Sequence, residues 1–389
     1  MTLRAIYPAL RAVEHATALA GVRPLRLFPV LWPLWQVEIT ANVYDEEAYE
    51  VVDRFLVRAV VEGGIDRPRE LAAFFGLPLS LVERCLAFLA AIGHIAEVDG
   101  RIRLTELGSR SAQAGVRFVP KESRQKLLIE RFTGRPLPRS HYRGSLPVLT
   151  SPQMPPEMAT DRTRFLPLFV TVPFQARIVS DLAARPDRTE YNLPDQLREI
   201  RNVEEQDAYL PAYLIETGDR SLLAYTAIGP ERDGFLEDVC RDVPAIHARI
   251  DAEDRVDPRR LWTEWLAGGK LGPGLLRQLP RGLWRATFGS STFSGPPRLP
   301  LSRLGSFQLY RHHFLQLWCD DDSLRLRAVK ERALGMARLR EVRTQADLST
   351  RIAALAGQLE VPTPTLADVR SHAERGRSDE HLAHLDALE

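Results

Sequence analysis

The stretch that decides the fold is "RPRELAAFFGLPLSLVERCLAFLAAIGHIAEVDGRIRLTELG", Arg67 to Gly108. Pro68 suits the first turn of a helix, where its missing N–H is not needed, and Gly76 suits the turn that ends it. A second helix is predicted over "LPLSLVERCLAFLAAIG", with Ser80 as a candidate cap and Gly93 as its stop. Beyond it, "HIAEVDGRIRLTELG" alternates apolar and polar residues around Asp99-Gly100, a strong hairpin signal. Upstream, "YDEEAYEVVDRFLVRAVVEGG" has helical periodicity. Asp45 is expected at its N-cap, and Tyr49, Val52, Leu56, Ala59 and Val60 form its apolar stripe up to Gly63-Gly64.

Three helices followed by a two-stranded wing resemble the winged helix-turn-helix of MarR- and ArsR-type bacterial repressors. The same order is similar to the winged-helix dimerisation domain that precedes the catalytic domain of small-molecule O-methyltransferases. "RELAAFFGLPLSLVERCLAFLAAIGHI" and "DGRIRLTELG" carry the resemblance, which covers about residues 45–108. It implies Gly76 as the inter-helix turn and Leu71, Phe75, Val82, Leu86 and Leu89 as the core. Ile95, Ile102 and Leu104 would then anchor the wing. A methyltransferase is not expected, because no glycine-rich strand-to-helix turn with the needed spacing follows residue 160.

In a DNA-reading module the second helix of the turn presents polar side chains to base edges. Here its outward candidates are Ser80, Glu83, Arg84 and Ala87, of which only Arg84 suits guanine. This helix is expected to read sequence poorly. From Arg101 to Arg143, however, eleven basic residues stand against three acidic ones, a local charge of +8. Contact through phosphate needs only such a field. Arg84, Arg101, Arg103, Arg110, Arg117, Lys121, Arg124 and Lys126 are therefore the candidate DNA contacts.

Charge alternates further along the chain. Asp187 to Asp254 holds 17 acids against 7 arginines, and Arg255 to Arg311 returns to +8. Either these segments complement one another inside the protein, the acidic one masking a basic one, or the second basic stretch is another polyanion surface. Trp262, Trp265 and Trp284 interleave with that stretch, as stacking residues or as a helix core face.

No catalytic set emerges. There is no P-loop, no HExxH and no histidine with a lysine two residues later. "HHFLQLWCDDD" gathers His312, His313, Cys319 and three aspartates, and on a helix His312 and Cys319 would share a face. A helix ending in solvated acids, with Phe314, Leu317 and Trp318 in the core, is the simpler expectation, so no metal or cofactor is assigned. A nuclease site would draw on Glu190, Asp195, Glu199 or Glu216, yet no lysine lies near them. Arg375 and His381 fit a solvated terminal helix better than a nuclease pair.

The chain has 389 residues, 44% hydrophobic and 26% charged, with a net charge of +1. That length predicts several domains of globular type. Cys85, Cys240 and Cys319 lie too far apart for a metal spacing or a disulfide framework. The apolar run Leu27 to Ile39 contains two prolines and falls short of the roughly 20 residues that span a bilayer. A cytoplasmic protein without membrane contact is expected.

The predicted architecture is α+β and multi-domain: an N-terminal helix and extended segment (1–44), a winged helix (45–110) and a basic connector (111–158). An α+β domain (159–300) and a helical C-terminal region (301–389) complete it. The expected function is DNA binding, mainly through the phosphate backbone, by a regulatory or accessory subunit. The alternatives are a non-catalytic assembly subunit, as in a phage-defence or mobile-element complex, and a nuclease with an unrecognised site. Expected partners are DNA and either other proteins or a second copy of the chain.

Overall fold

A computed structural model describes residues 6–143, 146–150, 165–170, 172–195, 197–253, 255–269, 271–293, 299–339, 342–376 and 379–388. The chain is mixed α and β. It begins with α1 (Ala9–Ala18), β1 (Pro24–Ala48), α2 (Val51–Val61), α3 (Pro68–Phe75), α4 (Leu79–Ala91) and β2 (Ile95–Val98). Next come β3 (Arg101–Leu104), α5 (Glu106–Ala114), β4 (Val116–Glu130), β5 (Leu149–Thr150), β6 (Leu166–Pro167) and α6 (Arg177–Ala184). Then follow β7 (Leu197–Thr217), β8 (Leu222–Tyr225), α7 (Gly234–Asp242), α8 (Pro244–Asp251), α9 (Pro258–Gly268), β9 (Leu275–Gln278) and β10 (Trp284–Thr287). The C-terminal part holds β11 (Phe307–Tyr310), β12 (His313–Trp318), α10 (Asp322–Met336), α11 (Gln345–Gln358), α12 (Leu366–Arg375) and α13 (Asp379–Asp386).

Two compact units divide the chain discontinuously. One comprises Met1–Pro33, Arg143–Thr171 and Ala208–Glu389; the other comprises Leu34–Tyr142 and Val172–Asp207. The second unit is built on an antiparallel ladder running from Leu34 opposite Glu130 to Ala48 opposite Val116. On one side of this ladder Trp35, Val37, Ile39, Leu127 and Ile129 bury against Val179 and Leu182 of α6. Everything from Tyr49 to Gly115 is inserted at the ladder's end, between two facing residues.

The insert is three helices and a hairpin with its own core. Leu56, Leu71, Val82, Leu86, Leu89, Ile95 and Ile102 are buried together, with Phe75 and Leu104 packed against them. Gly76 ends α3 at φ 64°, a conformation that favours glycine. Asp99 and Gly100 both have positive φ, as a two-residue turn between right-twisted strands requires. Gly108 is fixed by contact instead: a Cβ there would lie 1.9 Å from the carbonyl oxygen of His94.

Several expectations change. Asp45 does not cap a helix; it lies in β1, and α2 starts at Val51. Acids that suit a first helical turn are here cross-strand partners, Asp45 accepting from Lys121 Nζ at 2.7 Å. Pro78 rather than Ser80 precedes α4 as its cap residue. The supposed basic connector contains the end of α5 and all of β4. The end of that connector, residues 144–158, lies mostly outside the described residues.

β4 is an edge strand whose outward peptide groups are largely taken. Phe118 N–H donates to Ser111 Oγ, Lys126 O accepts from Asn192, and Leu128 N–H donates to Tyr142 Oη. Glu130 N–H reaches Arg135 O, and Pro120 has no N–H to offer. Glu122 and Arg124, the remaining outward positions, are charged, which discourages edge-to-edge pairing.

In the first unit β11, β12, β10 and β9 form one sheet in that order. Trp262, Leu304, Leu315, Leu317, Val329, Leu348, Leu359 and Val369 share its core. The region from Phe307 is thus not helical at its start. Arg311 and His312 have positive φ in the turn between β11 and β12, so His312 and Cys319 share no helix face.

Candidate interaction surface

The insert's surface begins with α4. Ser80, Glu83, Arg84 and Ala87 are exposed, as are Phe88, Ala90 and Ala91. Arg84 lines a groove of about 410 Å³ with Glu50, Val52, Asp53, Cys85, Phe88 and Arg117. Acids and apolar side chains flank this cation, so the helix presents no basic field.

Arg117, one of the candidate DNA contacts, is buried and paired with two acids. It is 8% exposed and donates to Glu47 at 2.5 Å and to Asp53 at 3.3 Å. Its guanidinium also lies 4.9 Å from the Phe88 ring centroid. The cation ties β4 to the end of β1 and the start of α2. Burial pushes the Asp53 carboxyl above the usual carboxylate range, partly opposed by the Cys85 thiol and Arg117. Burial also raises Cys85, with the Asp53 charge adding to the shift. The thiol is therefore held as S–H and is not an activated nucleophile.

The other candidate cations divide in two. Arg101 pairs with Asp66 at 3.2 Å and Lys121 with Asp45. Arg110 lies 5.3 Å from the Tyr44 ring centroid and 4.8 Å from that of Phe118. Its Nε and Nη2 are shielded from solvent. It lines a second groove, of about 480 Å³, with Tyr44, Thr105 and Leu107. Arg84, Arg103, Arg124 and Lys126 are exposed. None of these four has an ion-pair partner among the described residues.

Next to the β2–β3 hairpin, His94 is fully buried and joins α4 to β4. Its Nε2 donates to Phe118 O at 2.9 Å, and Ser111 Oγ lies 3.3 Å from the same nitrogen. Its Nδ1 is left to accept from the Tyr49 hydroxyl at 3.5 Å. Desolvation holds the imidazole below its ordinary pKa, hence neutral.

An exposed apolar surface lies on α2 and α3. Val51 is 70% exposed, Phe55 49% and Phe74 66%. The Phe55 and Phe75 centroids are 6.4 Å apart, and those of Phe74 and Phe75 are 4.9 Å apart. Half-buried Phe75 thus links the two exposed rings into one ridge. Arg58–Glu62 and Arg67–Glu70 pairs lie along its rim. Reading by core pattern found only Phe75. The doublet "FF" was a partial signal: with Leu71 and Phe75 four apart and inward, Phe74 falls on the flank of that face, and the neighbouring helices leave it uncovered.

The catalytic alternatives gain nothing from the geometry. Among the described residues no group of three or more His, Cys, Asp or Glu could hold a metal. Glu190 and Asp195 are exposed, and the side chain of Glu199 lies outside the described residues. Glu216 accepts from Arg26 Nε at 2.6 Å. His312 stacks on Phe28 at 4.6 Å and approaches Leu27 O, while Cys319 is buried. Trp262 is fully buried with Trp265 edge-on beside it, a core pair and not a stacking platform. Within their own units, Asp207 pairs with Arg131, and Asp251 and Glu216 with Arg255, joining the acidic stretch to each basic one. No described helix is long and apolar enough to cross a membrane.

No family model, no curated protein and no solved structure matches this chain.

Proposed function

We propose that this chain is a non-catalytic assembly subunit whose helix–hairpin insert is a winged-helix-type protein-docking module. The observation that carries this reading is the exposed ridge of Phe55, Phe74 and Phe75. Aromatic side chains held in place on rigid helices are the usual anchors of a protein interface. A contiguous apolar patch of this kind on a soluble chain marks an interaction site. The insert's entry and exit at one point of the ladder present it as a separate head.

A second reading, backbone contact with DNA, is supported by Arg84, Arg103, Arg124 and Lys126, which are exposed and without ion-pair partners among the described residues. It ranks below the first because Arg117 is buried, Arg101 and Lys121 are paired, and α4 offers no polar reading face.

Two measurements decide between them. In native cells the tagged chain should retain specific proteins that a Phe55→Ser/Phe74→Ser variant loses, while duplex DNA binds only weakly at physiological salt. Retention of the same proteins by the variant, together with tight, salt-sensitive DNA binding by the purified chain, would reverse the order.

A further inference from the structure

Resting on the docking reading above, we propose that the occupant of the α2–α3 ridge is a second copy of this chain. The two copies would pair through an isologous contact centred on Phe55 and Phe74. A ridge that docks an unlike partner usually advertises that partner's charge along its rim. This rim does not. Arg58 is paired with Glu62 at 2.9 Å, Arg67 lies 4.0 Å from Glu70, and Arg117 holds Asp53. Arg54, Arg69 and Glu50, exposed charges close in sequence to the ridge residues, are of both signs. Nucleic acid would need a basic field here, and a strongly basic protein an acidic one. An identical surface needs neither and meets little repulsion.

Geometry favours the same occupant. Val51, Phe55, Arg58 and Glu62 follow one stripe of α2, so the apolar half of the stripe ends in a self-paired polar half. Under a two-fold operation each exposed ring meets its counterpart or its neighbour, and offset or edge-on ring contacts are attractive. Phe75 already touches both Phe55 and Phe74, so pairing costs little side-chain freedom.

Area sets the strength. A buried aromatic side chain accounts for about 150–250 Å². Phe55 and Phe74 are 49% and 66% exposed and Val51 70%, so on that scale the three supply roughly a third to a half of the about 800 Å² per partner of a standard interface. The expected dimer is reversible, with a dissociation constant on the order of micromolar.

Sedimentation equilibrium of the full chain tests this. Between about 1 and about 200 µM, a range that brackets such a constant, the mass should rise from 43.9 kDa toward twice that value. Phe55→Ser/Phe74→Ser should stay at the monomer mass throughout, and Phe55→Tyr/Phe74→Tyr, which keeps the rings, should still pair. Circular dichroism checks the fold; should the double variant be unfolded, Phe74→Lys alone, at the most exposed ring, takes its place. A wild-type chain that remains monomeric over the range overturns the proposal and leaves docking of another protein standing. A serine variant that dimerises like wild type removes the ridge as the self-contact.

Discussion

Nη1 of Arg117 lies 3.3 Å from Oδ2 of Asp53, in a place where both side chains are buried. Sixty-four positions separate them in the chain, yet this pair fixes how the insert leaves the ladder. Removing one partner strands the other charge away from water. Arg117→Met should destabilise the second unit by about 3–5 kcal/mol, the usual cost of breaking a buried pair. Asp53→Asn should cost less, since burial already disfavours that carboxylate and the amide oxygen still accepts. Urea unfolding of both variants checks the order, and an Arg117→Met chain as stable as wild type would refute it.

His94 predicts a pH dependence. Its folded pKa is lowered by desolvation, so the unfolded chain binds the proton more readily. The stabilisation is complete above the unfolded value of about 6.5 and is lost as pH falls through the lowered folded value. His15, His312, His313 and His372 are lowered as well, His313 to about 4. The diagnostic quantity is therefore a difference in slope. Below pH 6.5, stability of His94→Gln should fall less steeply than that of wild type, because glutamine can still donate to Phe118 O and cannot titrate. Equal slopes in urea midpoints would show that His94 does not contribute.

Two glycines should respond unequally to alanine. At Gly76 nothing lies near a new Cβ, and only the positive φ opposes it, so the expected cost is about 1–2 kcal/mol. At Gly108 the Cβ would overlap the His94 carbonyl, and α5 must move away from His94. Gly108→Ala should cost more than Gly76→Ala, about 3 kcal/mol or beyond. Thermal melts of the two variants suffice, and the reverse ranking would mean that α5 is loosely held.

Residual DNA affinity, where measurable, should come from the exposed cations that lack a carboxylate partner. Arg103→Ala/Arg124→Ala/Lys126→Ala should reduce the salt slope by about one unit for each phosphate that is no longer neutralised. Arg101→Ala should change it little, since Arg101 already pairs with Asp66. Fluorescence anisotropy of a labelled duplex across a salt series reads both, and a large effect of Arg101→Ala alone would show that pairing with Asp66 does not withhold Arg101 from phosphate.

The sequence by itself determined the local elements of the insert. Pro68, Gly76 and Asp99-Gly100 act through φ preferences of single residues, and Leu71, Val82, Leu86 and Leu89 repeat at helical spacing, so their signal is contained within a few turns. The ridge was only half legible: Phe75 reads as core, whereas the exposure of Phe74 and Phe55 depends on which faces the neighbouring helices cover. Other features were decided by the tertiary structure alone. β4 was missed because Leu127 to Glu130 are all buried while Pro120 to Glu122 are all exposed, which erases the alternation that marks a strand. Asp45, Glu46 and Glu47 suit a helix start equally well, and pairing with Arg117 to Val119 makes them strand. The charge count of the basic segment was correct, but its meaning was not in the count. Arg117, Lys121 and Arg101 are matched to acids 35 to 76 positions away, and only folding brings such partners within Coulomb reach.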